Sequence, residues 1–131
     1  FGGGDKEQQQ FESWSEKYSN VTSVIGELNF AEEVDLISNL QLMLSMDSGN
    51  AHLSAMFGVP TLTLWGLTHP YAGFYPYRQL PEHMLSADRQ QFPLIPTSIY
   101  GNFMPKGYEN AMRSIHPKDV LIKIGAMLKE K

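Results

Sequence analysis

The run Asp47-Ser48-Gly49-Asn50-Ala51-His52 has the residue types of a polar ligand site. It stands where an apolar stretch, 41–46, hands over to a small-residue stretch closed by Gly58. A strand that runs into a helix here leaves unpaired amide N–H groups and a positive dipole end, which suit a phosphate. Gly49 has no side chain, so a ligand can approach the backbone closely. Asp47 is an anion and cannot itself favour a diphosphate. Its carboxylate fits sugar hydroxyls or neighbouring N–H groups instead. His52 falls in the first turns of the helix, where it either donates to a phosphate or packs inward. Asn50 belongs to the same run. The competing reading is structural: Asp47 or Ser48 caps the helix and satisfies its first amides.

Three other glycine-bearing loops stand in equivalent places. Gly2-Gly3-Gly4 before Asp5 resembles a phosphate cradle, but it lacks the GxGxxG spacing and the P-loop lysine. A tight strand-to-helix turn is the simpler reading. In Gly26-Glu27-Leu28-Asn29-Phe30, Glu27 either holds a ribose diol or is a solvated first-turn acid. In Gly66-Leu67-Thr68-His69-Pro70, Thr68 and His69 face the same cleft, or His69 merely begins a surface loop. His83 and His116 have no partners at metal-ligand spacing and read as structural. The sequence holds no DxD acid pair and no GxSxG elbow. Ser48 and His52, four apart at one helix start, leave no place for an Asp behind the His.

The elements that would position these loops follow from periodicity. Phe11, Trp14 and Tyr18 lie at helical spacing after Asp5, a predicted N-cap. Residues 21–25 are short and β-branched and read as a strand ended by Gly26. Phe30, Val34, Ile37 and Leu40 mark a helix over 30–40, and 41–46 reads as a buried strand. A short helix over 51–57 precedes a strand over 61–65. This β-turn-α repetition predicts an α/β layered domain with a parallel sheet and right-handed crossovers. Seven of the eight prolines and five of the six tyrosines lie between Pro70 and Pro117. That stretch, about 67–116, has no clear period apart from a short strand near 84–87. Its aromatics favour an ordered loop pinned to the domain. A last helix, about 117–130, has Val120, Ile124, Met127 and Leu128 as its apolar face.

The chain has 131 residues, 42% hydrophobic and 18% charged, with no cysteine and a formal charge of −4. That fits one globular domain and excludes disulfide frameworks, thiolate zinc sites and cysteine nucleophiles. Residues 1–50 hold nine acids against two bases, which argues against a nucleic-acid footprint. No apolar run reaches the 18 or so residues of a membrane helix. There is no secretory signal pattern.

The segment 44–70 strongly resembles glycosyltransferase family 9, the heptosyltransferases that build lipopolysaccharide cores. Their pattern is an apolar strand, Asp-(Ser/Thr)-Gly-x-x-His, a small-residue helix, Gly-x-Pro, a second apolar strand and Gly-x-Thr. Asp47, Ser48, Gly49, His52, Gly58, Pro60, Gly66 and Thr68 stand at those places. The glycine step before Asp5 and the run Ile115-His116-Pro117-Lys118-Asp119-Val120 are also similar to the family's.

The resemblance implies an α/β Rossmann-like parallel sheet with flanking helices. This would be the C-terminal, donor-binding half of a two-domain GT-B enzyme. The chain would then be one partial domain over 1–131, beginning inside that half without its first strand and helix. Asp47 would contact the donor sugar, and the amides at Ser48 and Gly49 the diphosphate. The Gly26-to-Phe30 loop, with Glu27 and Leu28, would lie against the nucleoside. The donor would be a nucleotide-diphosphate sugar, an ADP-sugar in the heptose enzymes, bound without metal or other cofactor. The acceptor would be a glycolipid held by the other half, which also carries the general base. This fragment alone would therefore not catalyse transfer. Transfer would invert the anomeric carbon. The place implied is the cytoplasm, peripheral to the inner membrane, with no nucleic-acid partner. An open sheet edge predicts homo-oligomerisation of the fragment or a rearranged sheet. Where the family often carries cysteines, 92–112 has none. The rival class is a non-catalytic Rossmann-like nucleotide-binding or assembly module. A GT-B-type sugar-nucleotide epimerase is a third.

Overall fold

The computed structural model describes residues 5–129, with side chains from residue 7 onward. The strand tail and glycine turn expected at 1–4 lie outside them. The chain divides into two compact units, Phe1–Leu36 and Ile37–Lys131.

In the first unit, α1 spans Asp5–Lys17. Phe11 and Trp14 meet edge-to-face on its apolar stripe, with ring centroids 5.1 Å apart. The expected strand at 21–25 does not form. β-branched residues favour extended backbone, but a strand exists only where a neighbour supplies a ladder. Here the amides turn to local acceptors. Val21 N–H donates to Tyr18 O at 3.0 Å, and Ser23 N–H to Ser15 Oγ at 3.0 Å. Gly26 makes the following turn at φ +74°, in the left-handed region that glycine tolerates. Helix α2, Phe30–Ser38, whose residues up to Leu36 belong to this unit, then starts on a capping box. Asn29 Oδ1 accepts the N–H groups of Ala31 and Glu32 at 3.0 and 3.1 Å. Glu32 Oε2 accepts Asn29 N–H at 2.8 Å in return. Phe30, expected on the apolar face of this helix, is exposed.

The second unit holds a three-stranded parallel sheet in the order β1-β2-β3. The strands are β1 (Met43–Met46), β2 (Thr61–Trp65) and β3 (Met84–Ser86). Met43 pairs with Thr61, and Thr63 with Met84. Helix α3, Gly49–Met56, joins β1 to β2 and buries Ala51, Ser54 and Ala55. Small residues let it approach the sheet closely, and Ser54 Oγ lies 2.7 Å from Thr61 Oγ1. β2 is central and is buried except at Leu64, with Leu62 and Trp65 fully so.

The strand expected to be buried at 41–46 is instead a four-residue edge strand among the described residues. Leu44 and Met46 alternate outward and stay nearly half exposed. An apolar groove separates Leu44 and Leu64 from Val120 and Ile124 of the last helix, α4 (Pro117–Met127).

The proline- and tyrosine-rich stretch is ordered by side-chain bonds to backbone rather than by periodic structure. Gln79 imitates a strand neighbour. Its Oε1 accepts Thr61 N–H at 2.8 Å, and its Nε2 donates to Val59 O at 3.2 Å. Ala87, Phe92, Ile95 and Ala111 form a separate small core, against which Leu67 and Tyr108 pack.

Candidate functional site

The C-terminal ends of β1 and β2 open onto a cavity of about 310 Å³. Asp47 follows β1 directly, and Gly66, Leu67 and Thr68 follow β2, so two adjacent parallel strands deliver them to one place. Ligands of open α/β sheets bind at this end of the strands. The Asp47 carboxylate has no hydrogen-bond or ion-pair partner among the described residues, and it stays partly exposed. Thr68 is buried against the cavity.

Beside Asp47, the start of α3 is not capped by a side chain. Ser48 occupies the N-cap position in extended conformation, at φ −154° and ψ 168°. Its hydroxyl instead lies 2.9 Å from Ser45 Oγ. Ser45 directs its own proton to Met46 O at 2.9 Å, so Ser48 is the donor of that pair. Ala51 N–H bonds to Ser48 O at 3.1 Å, which leaves the amides of Gly49 and Asn50 as the open donors of the first turn. Neither Asp47 nor Ser48 therefore acts as the cap that the structural reading required. A Cβ added at Gly49 would meet nothing within 4 Å, so the flank of the helix start is open at that residue.

The other sequence-predicted residues divide by place. Asn50 and His52 are half-buried on α3, and neither lines the cavity. His69 does not line it either. It is buried rather than the start of a surface loop, and its Nδ1 accepts Tyr71 N–H at 3.3 Å. Burial, and then the positive charge of Arg89, hold its pKa below the usual imidazole value. The neutral ring caps the 3₁₀ turn Pro70–Ala72. His83 is buried, with Nδ1 at 3.4 Å from Gln79 Oε1, which fits its structural reading. Glu27, exposed, and Leu28, half-buried, belong to the first unit. Glu27 shares a hollow there with Glu12 and Glu16, a setting that repels a phosphate.

Sequence reasoning did not find the residues that wall the cavity from the loop side. Tyr100, Met104, Tyr108, Glu109 and Met112 line it from more than 30 residues downstream of β2. The loop has no periodicity to announce them. A left-handed glycine at Gly101 is a signal that only its neighbour in space, Thr68, makes readable.

The parallel sheet flanked by helices, with its strand-to-helix turn after β1, defines a Rossmann-like α/β fold. The match to the family described as Glycosyltransferase family 9 (heptosyltransferase) covers residues 1–97, and the chain belongs to that family. The comparison with curated proteins gave no match, and that with solved structures gave none.

Proposed function

We propose that this chain supplies the nucleotide-sugar donor site of a glycosyltransferase that moves a heptose-like sugar in lipopolysaccharide or surface-polysaccharide synthesis. The observation that carries this reading is the uncapped start of α3 beside Asp47, with the Ser48 hydroxyl turned back to Ser45. The donor diphosphate would lie against the first-turn amides. As the bond from the anomeric carbon to the phosphate oxygen breaks, negative charge grows on the leaving diphosphate. Amides already aimed at that place, together with the helix dipole, stabilise it without reorganising. Asp47 would accept hydrogen bonds from sugar hydroxyls, with Thr68 beside it. For Glu27 and Leu28, the proposal of nucleoside contact rests on family membership alone, as do the roles of Asn50 and His52. The same ground supports an inverting displacement without metal, and a glycolipid acceptor and general base on the enzyme's other half. It also supports a partial donor-binding domain over 1–131 and a cytoplasmic place peripheral to the inner membrane. Among the described residues, no helix is long and apolar enough to cross a membrane.

Titration with ADP, UDP and GDP, followed by amide NMR shifts, tests the site. Shifts at Ser48, Gly49 and Asn50 with one nucleotide are expected. No shift with any of the three overturns the assignment. Gly49→Val should weaken that binding about tenfold or more. It should change folding stability by no more than about 0.5 kcal/mol, because the new side chain meets open space.

A further inference from the structure

The cavity has a second wall that the family match does not reach. The match ends at residue 97, and Tyr100, Met104, Glu109 and Met112 line the cavity from beyond it. Contacts with the loop after β2 hold this wall in place. Thr97 N–H donates to Leu67 O at 3.0 Å. A Cβ on Gly101 would stand 2.7 Å from Thr68 Cγ2, and one on Gly66 would stand 2.9 Å from Met112 Sδ. The tip closes on itself through Thr97 Oγ1 to Phe103 O at 2.6 Å and the Ser98–Asn102 side-chain bond at 2.8 Å.

The chemistry of this wall differs from that of a phosphate cradle. Glu109 Oε1 accepts Gly107 N–H at 3.2 Å. Its own amide, and then that of Gly107, hold its pKa below the usual carboxylate value. The group is therefore an acceptor only. Tyr100 is 76% exposed, and its ring is backed by Phe74, with centroids 5.8 Å apart. Two carboxylates on one cavity, Asp47 and Glu109, repel a diphosphate. They accept from hydroxyls, and an exposed aromatic ring offers a flat apolar surface to the C–H face of a sugar ring. At about 310 Å³, the cavity sits at the low end of ligand pockets, which run roughly 300–1,000 Å³.

We propose that Tyr100 and Glu109 are specificity-determining residues for the donor sugar, which they hold together with Asp47 while the diphosphate lies outside the cavity at α3. The inference rests on the donor-site reading above and adds the residues that choose the sugar. Its test compares matched pairs on the full chain: ADP with ADP-glucose and ADP-heptose, UDP with UDP-glucose, and GDP with GDP-mannose. One sugar nucleotide should bind more tightly than its nucleotide, and the amides of Tyr100, Gly101 and Glu109 should shift only when the sugar is present. Glu109→Gln and Tyr100→Ala should each lower the ratio of sugar-nucleotide to nucleotide affinity about fivefold to tenfold, the scale of one ordinary net hydrogen bond or one aromatic contact. Lys106→Ala, on the same loop and outside the cavity lining, should leave the ratio unchanged. An unchanged ratio in both cavity variants overturns the proposal. So does the absence of a sugar-dependent gain in every pair, or a Tyr100 and Glu109 response to nucleotide alone. If no nucleotide binds at all, the donor-site reading itself fails, an outcome distinct from these.

Discussion

Two stretches border the same cavity and are built by different means. The β1–α3–β2 stretch, 43–65, hangs on repeating backbone bonds: a parallel ladder, a helix and a turn closed by Gly58 at φ +72°. The loop stretch, 97–112, has no repeating bonds beyond one 3₁₀ turn. Its shape comes from single side-chain bonds, such as Thr97 Oγ1 to Phe103 O and Ser98 Oγ to Asn102 Oδ1, and from two close approaches at Gly66 and Gly101. The first stretch lies wholly within the family match, and the second runs past its end. A periodic frame tolerates many side chains as long as pattern and volume persist. A loop held by single contacts changes shape when one contact changes. On the proposed donor reading, the frame would serve what every donor shares, a diphosphate, and the loop what differs between donors.

Substitutions can break this contrast. The largest effect is expected in the frame's core: Leu62→Ala removes a fully buried side chain from the central strand and should cost about 2–5 kcal/mol by urea denaturation. Gly101→Ala should come next. It puts a Cβ at φ +63° and 2.7 Å from Thr68 Cγ2, for a cost of about 1–3 kcal/mol. Hydrogen exchange should accelerate over 97–104 while β2 stays protected. Equal loss of protection in β2 would mean that loop and frame are one cooperative unit. A smaller effect is expected at His69. Its pKa is depressed on folding, so the unfolded chain binds the proton more readily. Its contribution is complete above the usual imidazole value of 6.5 and is lost as pH falls below that value. The urea midpoint should drop on acidification from pH 7, and His69→Asn, which keeps an acceptor at the cap, should flatten that slope. At the far end stands Gly49→Val, which should leave stability nearly unchanged because its side chain enters open space, and should weaken nucleotide binding if the proposed donor site holds.

Much of the frame was legible in the sequence because its signals are local. Strand-length apolar runs at 41–46 and 61–65, Gly58 after a small-residue run and Pro117 at a helix start each state their element within a few residues. The Asn29-x-x-Glu32 capping box was equally local and went unread beside the more suggestive Glu27. Residues 21–25 misled because β-branched composition reports a backbone preference, whereas pairing depends on a neighbour.

By itself, the sequence determined the kind of fold, the family and the place of Asp47, Ser48 and Gly49 between a strand and a helix. Each of these follows from the order and spacing of residues along one short stretch. The tertiary structure alone decided that Ser48 turns to Ser45 rather than capping α3, that His69 is buried away from the cavity, and that Tyr100 and Glu109 join Asp47 around it. The first is a choice between two local hydrogen bonds that residue types alone leave open, and the last depends on which groups meet after the chain has folded back across more than 30 residues, a meeting that no local spacing encodes.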